Sequence, residues 1–348
     1  MKFDGNALRV AALIGASTLV SQIAAAAPAH VVLVTPRGET AMERTFKDEL
    51  QRLVGPVRFT LIKPDLSQPE DLAALPERIR KEKPALVYTW GTPTTLAVAG
   101  PYDAPLVADI PIVFAVVADP LRAKLVPGLR SPGRNLTGTS HLAPLVSQLG
   151  TMHSYRAFKT MGVVYNPAEL NTRYMLEDLS ASARQNGIEL LVEKVGLNLA
   201  GEPDPGTLEP QIKRLKDRGA EWLYMGPDTF VAFTHRKITT DAALKAGLPT
   251  FTANESAIRD GNALVGMFTP VEGMARFVAY KASQIIKGQA KPADIPIETL
   301  QRYTVMVNLC VAHAMHMPPP ASMLGYAELR QPADSAHPAN ALTCQPLQ

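Results

Sequence analysis

The stretch TMGVVYNPAELNTRYMLEDLSASARQNG, residues 160–187, decides how the chain is read. Its opening TMGVV is a short apolar run suited to a buried strand, and the amphipathic remainder is suited to a helix. Between them Asn166 reads as an N-cap, Pro167 as the first helical residue and Glu169 as a capping-box carboxylate, with Gly187 as the stop. Capping leaves Asn171 and Thr172 unexplained. They fall in the second turn and offer further donors and acceptors. In an open parallel sheet the loops leaving the carboxyl ends of strands line the ligand crevice, where helix N-termini present unpaired N–H groups. A ligand role is therefore expected within Asn166, Glu169, Asn171 and Thr172.

The same strand-then-helix unit recurs on both sides of this stretch. AHVVLV, VRFTLIK, ALVYTWG, PIVFAVV and NLTGTS precede it as strand candidates, and ELLVEKV, EWLYMG, LPTFTA and ALVGMF follow, with helical stretches between most of them. Short strands alternating with helices imply an α/β chain with parallel sheets covered on both faces. The pattern runs twice, which predicts two Rossmann-like lobes with a cleft between them. Crossings are expected near residues 138–141 and 248–252, and PADIPIETLQRYTVMVNL reads as a third connection followed by a strand. The predicted division is residues 27–138 plus about 252–296 for lobe I, and 139–251 plus about 297–330 for lobe II. Residues 331–348 are polar, rich in proline and read as a flexible tail.

The 348 residues are 46% hydrophobic and 19% charged, which suits a globular chain of two domains. Lys2 and Arg9, then the largely apolar AALIGASTLVSQI, then AAAA before Pro28 read as a secretory signal peptide over residues 1–26, cleaved after Ala26. No later run approaches the ~20 apolar residues of a membrane span. Loss of Lys2, Arg9 and Asp4 lowers the formal charge of +3 by one, too mild a charge for a nucleic-acid binder. Cys310 and Cys344 are the only cysteines, and the sequence leaves open whether they pair.

Other strand exits share the polar character of YNPAELNT. VTPRGET carries Thr35, Arg37 and Thr40; TWGTPTT carries Thr89, Thr92 and Thr94; MGPDTF places Asp228 and Thr229 at a helix start. Two facing lobes would gather these edges around one cleft. Tyr88, Trp90, Phe114, Tyr165, Tyr224 and Phe230 lie near the exits, with core packing the better reading for each singly. The chain has no phosphate-binding glycine loop, nucleophile elbow or HExxH. His313 and His316 lack a third ligand, so no metal and no cofactor are expected. Asp119, before Pro120, reads as a turn residue.

The stretch PIVFAVVADPLRAKLVPGLRSPGRNLTGTS, residues 111–140, resembles a segment, IPIVF…DP…LV…PGGNVTG.S, of the bacterial ABC transporter substrate-binding proteins that are like the tryptophan/tyrosine-binding proteins. VVYNPAELNT is similar to that family's YNPSEANS, with Thr172 where serine is usual, and VNLCVAHAMHMPPPASM is similar to its INLKTAKALGLTIPPSLL. LPTF, IIKG and PADIPIE fall in the same order, so the likeness spans essentially the whole mature chain. The resemblance implies a type I periplasmic-binding-protein fold with three crossovers and a ligand closed between the lobes. It implies a monomeric, non-enzymatic, periplasmic protein serving an ABC permease in the inner membrane. Its site residues carry over to Asn166, Glu169, Asn171, Thr172, Asp228 and Thr92; Thr35 and Thr89 join them from the strand exits. Amides beside the acids Glu169 and Asp228 favour an ammonium-bearing, amino-acid-like solute. A binding protein that docks to a receptor and, more remotely, a secreted hydrolase are the alternatives.

Overall fold

A computed structural model describes residues 27–331. The expected signal peptide, Cys344 and all but the first residue of the expected tail lie outside the described residues. The chain first forms β1 (Ala29–Val34), α1 (Ala41–Val54), β2 (Val57–Ile62), α2 (Pro69–Glu82), β3 (Leu86–Trp90), α3 (Thr92–Ala99), β4 (Ile112–Ala115) and β5 (Leu136–Ser140). It continues with α4 (Leu145–Tyr155), β6 (Thr160–Tyr165), α5 (Leu170–Gln185), β7 (Glu189–Lys194), α6 (Leu208–Asp217), β8 (Trp222–Met225), α7 (Arg236–Lys245), β9 (Thr250–Thr252), α8 (Glu255–Arg259) and β10 (Val265–Phe268). Last come α9 (Val271–Ile286), β11 (Glu298–Thr299), β12 (Thr304–Asn308), α10 (Leu309–Ala314) and β13 (Glu328–Arg330).

Two sheets result, ordered β11-β5-β4-β3-β1-β2 in lobe I and β13-β12-β10-β9-β8-β6-β7 in lobe II. Every strand pairing is parallel except that of β10 with β12. Strands buried on both faces need apolar side chains at nearly every position rather than at alternate ones. LVYTW in β3 and IVFA in β4 are buried throughout, and so is AHVVLV in β1 from His30 onward. Gly138 is required where β5 passes β4, because a Cβ there would come within 2.4 Å of Phe114.

The expected α/β architecture with three crossovers is present, but two crossing points differ from the sequence reading. The first passes through residues 141–144, close to the expected place. The second was expected at 248–252, yet β9 pairs with both β8 and β10, so the chain stays in lobe II through Phe268 and crosses at residues 269–270. The lobe I return therefore begins with α9, which packs on α1, β4 and β5. Because β11 still pairs with β5, the third crossing falls at residues 300–303 rather than near 297. Hydrophobic patterning marks β9 and β10 as strands without saying which sheet they join.

One bond ties two crossings together and one buried amine fastens lobe I beside them. The Thr269 hydroxyl donates to the backbone carbonyl of His141 at 2.9 Å, tying the second crossing to the first. Lys281, buried on α9, donates to the carbonyls of Gly138 at 2.9 Å and Pro296 at 2.5 Å and lies 3.3 Å from Glu298. Its amine thereby fastens β5 to the segment that carries β11. Burial lowers its pKa to about 8, with Glu298 pulling the other way.

Candidate ligand-binding site

The carboxyl ends of both sheets face a cleft of about 1250 Å³. Lobe I contributes the exits of β1, β2 and β3, and lobe II those of β6, β7 and β8. Such edges carry ligands in open parallel sheets because helix starts leave N–H groups unpaired there. Of the expected residues, Thr92, Asn166, Glu169 and Asn171 lie in the cleft wall. Thr35, Thr89, Thr172 and Asp228 are buried behind it.

The local folding of YNPAELNT corrects the capping reading. The helix starts at Leu170 instead of Pro167, with Glu169 in the N-cap position and no side-chain cap bond. Asn166 instead closes a turn, its Oδ1 accepting from the Ala168 amide at 3.1 Å. The Thr172 hydroxyl holds the turn to the helix, donating to the carbonyls of Asn166 and Glu169. Glu169 has partners far along the chain: its carboxylate accepts the backbone amides of Thr229 and Phe230, both at 2.9 Å. These open the π-helical turn Thr229–Thr234 that follows β8.

Asp228 returns the arrangement. One carboxylate oxygen accepts the Asn166 amide at 2.8 Å and the other caps its own turn through the Val231 amide at 2.7 Å. Asn171 Nδ2 adds a bond to the Pro227 carbonyl at 2.5 Å. The exits of β6 and β8 are thus laced into one rigid wall. Burial pushes both acids up, and the Glu169 charge adds to the rise at Asp228, while the backbone amides oppose the rise in each. Each of the four carboxylate oxygens of Glu169 and Asp228 thus accepts one backbone amide of lobe II, which gives both acids a structural task in the wall.

One acceptor in the wall, Asn171 Oδ1, has no partner. The donor bond to Pro227 fixes the amide orientation and leaves this oxygen buried without a partner. An unsatisfied buried acceptor is costly, on the order of 1–3 kcal/mol, unless something fills it. On the lobe I side of the cleft, Thr92 is the first residue of α3, with Gly91 in the cap position. Thr89 instead pairs its hydroxyl with Thr95 at 2.9 Å, and Thr35 donates to Gly38 at 3.3 Å. Among the aromatics, Phe230 lines the cleft with its ring 4.3 Å from that of His235. Tyr88, Trp90, Phe114, Tyr165 and Tyr224 are core residues.

Sequence reasoning missed the residues that join the lobes. Gln68, after β2, donates to Glu202 in the loop after β7 at 2.8 Å. Arg122, after β4, reaches Asp178 at 2.8 Å and also Glu177 on α5, and its guanidinium lies 4.2 Å from the Tyr174 ring. The proline-rich and glycine-rich exits IKPDLSQP and VGLNLAGEPDPG are the sequence signal from which the first pair could have been found. Asp119 makes the expected turn, accepting from the Leu121 and Arg122 amides. His313 and His316 are exposed, and no group of three metal-ligating side chains occurs among the described residues. No helix among them is long and apolar enough to cross a membrane.

Two α/β lobes, three crossings and a cleft at the carboxyl ends of both sheets define a type I periplasmic-binding-protein fold. The chain belongs to the ABC transporter substrate binding protein family, whose model matches residues 61–329. The tyrosine-binding protein of Clostridioides difficile (strain R20291) is 27% identical over 237 residues, covering 68% of this chain. The chain spans 64% of the length of that curated relative. A conserved domain protein from Vibrio cholerae O1 biovar El Tor superposes with a TM-score of 0.75 at 22% identity, over 87% of this chain and 100% of that one. An ABC domain from Streptococcus pneumoniae in complex with L-Trp gives 0.72 at 20% identity, over 86% and 99%.

Proposed function

We propose that this substrate-binding protein captures a small, polar, amino-acid-like solute by closure of its lobes and delivers it to an ABC importer in the inner membrane. The carrying observation is the cleft wall of lobe II: two strand exits laced into a rigid surface that presents the unpartnered Asn171 Oδ1, with Thr92 on the facing lobe. A preorganised wall opposite a movable one suits a protein that binds by closing, because little ordering cost remains at the moment of capture. In this reading Thr92, Asn166 and Asn171 meet the solute, while Glu169, Thr172, Asp228, Thr35 and Thr89 hold the loops in place. The family relatives that bind tyrosine and L-Trp support an amino acid as the solute. We place the protein in the periplasm as a monomer, with a mature chain that starts at Ala27.

Calorimetric titration with L-tyrosine, L-tryptophan and a set of neutral sugars tests the solute class. Saturable binding of an amino acid, weakened by Asn171→Ala and by Thr92→Val, is expected. Binding of a sugar with no response to any amino acid would refute it.

A further inference from the structure

Arg37 follows directly after Pro36, a residue of the cleft wall, in the loop that leaves β1. Its guanidinium carbon lies 3.8 Å from the centroid of the Trp90 ring in lobe I and 5.8 Å from that of Phe233 in lobe II. The two rings are themselves 5.0 Å apart, edge to face. Stacking uses the flat face of a guanidinium and leaves its in-plane N–H donors free for an acceptor. None is supplied: Arg37 makes no hydrogen bond or ion pair among the described residues, and its Nε is buried without a partner.

The surroundings do not neutralise it. Glu43 and Asp260 are the acids whose charge it feels. Glu43 is engaged by the Thr40 amide at 2.9 Å, the Thr40 hydroxyl and the Tyr88 hydroxyl at 3.2 Å. Asp260 pairs with Arg236 at 3.3 Å. Arg236 follows His235 of the cleft wall in lobe II, and its Nε is likewise buried without a partner. Arg37 and Arg236 repel each other across the lobes. A group that accepts hydrogen bonds and carries negative charge relieves both defects at once.

We propose that Arg37, held over the Trp90 ring and faced by Arg236 from the other lobe, receives the anionic end of the solute, so that the transported class is a carboxylate. This rests on the solute-binding reading of the same cleft and adds a charge requirement to it. Anchoring an anion between a lobe I arginine and a lobe II arginine also ties capture to closure, because both cations reach it only when the lobes meet.

The test measures binding of matched probes to the full mature chain by calorimetry: L-tryptophan and L-tyrosine, their carboxamides, and 3-phenylpropionate, which keeps the acid and lacks the amine. The acids are expected to bind tenfold to a hundredfold more tightly than the amides, and Arg37→Gln to erase that preference. Arg37→Lys, which keeps the charge and loses the fork, should fall between the two. Equal binding of acids and amides overturns the Arg37 assignment and leaves the amino-acid reading standing. Binding of 3-phenylpropionate without either amino acid supports Arg37 and sinks the amino-acid reading. Failure of every acid to bind, or wild-type affinity in Arg37→Gln, overturns the assignment. If that variant does not fold, Arg236→Gln and the acid-to-amide comparison on the wild-type chain decide.

Discussion

The side-chain amide of Gln68 donates to the Glu202 carboxylate at 2.8 Å across the mouth of the cleft, one residue in each lobe. Asn198 makes this possible: its Oδ1 accepts the amides of Ala200 and Glu202, both at 2.9 Å, and folds the loop after β7 back toward lobe I. Together with the Arg122 pairs it forms a clasp between the lobes, with Gln68 and Glu202 themselves lining the cleft. Both contacts are partly solvated, so each is worth roughly 1 kcal/mol or less. Contacts of that size adjust an open-closed equilibrium without locking it.

Removing the clasp with Glu202→Ala and Arg122→Ala should therefore enlarge the ligand-free protein in small-angle scattering and weaken solute affinity by about two- to tenfold, through a smaller closed population. Unchanged scattering and affinity in the double variant would show that the clasp does not bias closure.

Glu169→Gln tests the lacing of β6 to β8. Glutamine offers one acceptor oxygen where the Thr229 and Phe230 amides need two, and sets its amide NH2 donor against the other N–H. Urea unfolding of the ligand-free variant should show a loss of about 1–3 kcal/mol. A neutral effect would mean that the carboxylate is not what holds the turn after β8.

His141 sits at the first crossing with both ring nitrogens buried, and burial lowers its pKa to about 4 from the ordinary 6.5, with the Val117 backbone pulling the other way. The folded chain resists the proton more than the unfolded one, so stability is full above 6.5 and falls as pH drops toward 4. The loss should approach about 3 kcal/mol once both states are protonated. Denaturation midpoints measured between pH 7 and 4 should show a slope that His141→Gln reduces. An equal slope in the variant would assign the acid sensitivity elsewhere.

Lys281→Met would leave the Gly138 and Pro296 carbonyls without their donor inside lobe I. A loss of roughly 2–4 kcal/mol is expected, read as a lower urea midpoint. A variant as stable as wild type would show that water satisfies those carbonyls and that the amine is dispensable.

Local patterns made the strands legible. AHVVLV, TMGVVY and EWLYMG are apolar enough to be buried on both faces, and each forms a strand where the pattern predicts one. The second crossing was hidden because β9 and β10 carry the same pattern whichever sheet they join, and α9 shows its lobe only by packing on α1. The role of Glu169 was hidden for a related reason. A glutamate three residues after an asparagine has the spacing of a capping box, but its partners lie some 60 residues away at Thr229 and Phe230. Spacing along the chain reports local bonds and is silent on which distant amide competes for the same carboxylate. Arg37 was visible as a residue of a strand exit, whereas its stacking on Trp90 depends on β1 and β3 being neighbours.

The most direct test of solute capture between the lobes is mass spectrometry of small molecules released when the natively purified, full mature chain is denatured, compared with the same chain carrying Asn171→Ala and Thr92→Val. The account predicts an amino acid released near one equivalent from the wild type and largely missing from the double variant. A sugar or a polyanion in its place, or equal release from both chains, would contradict it.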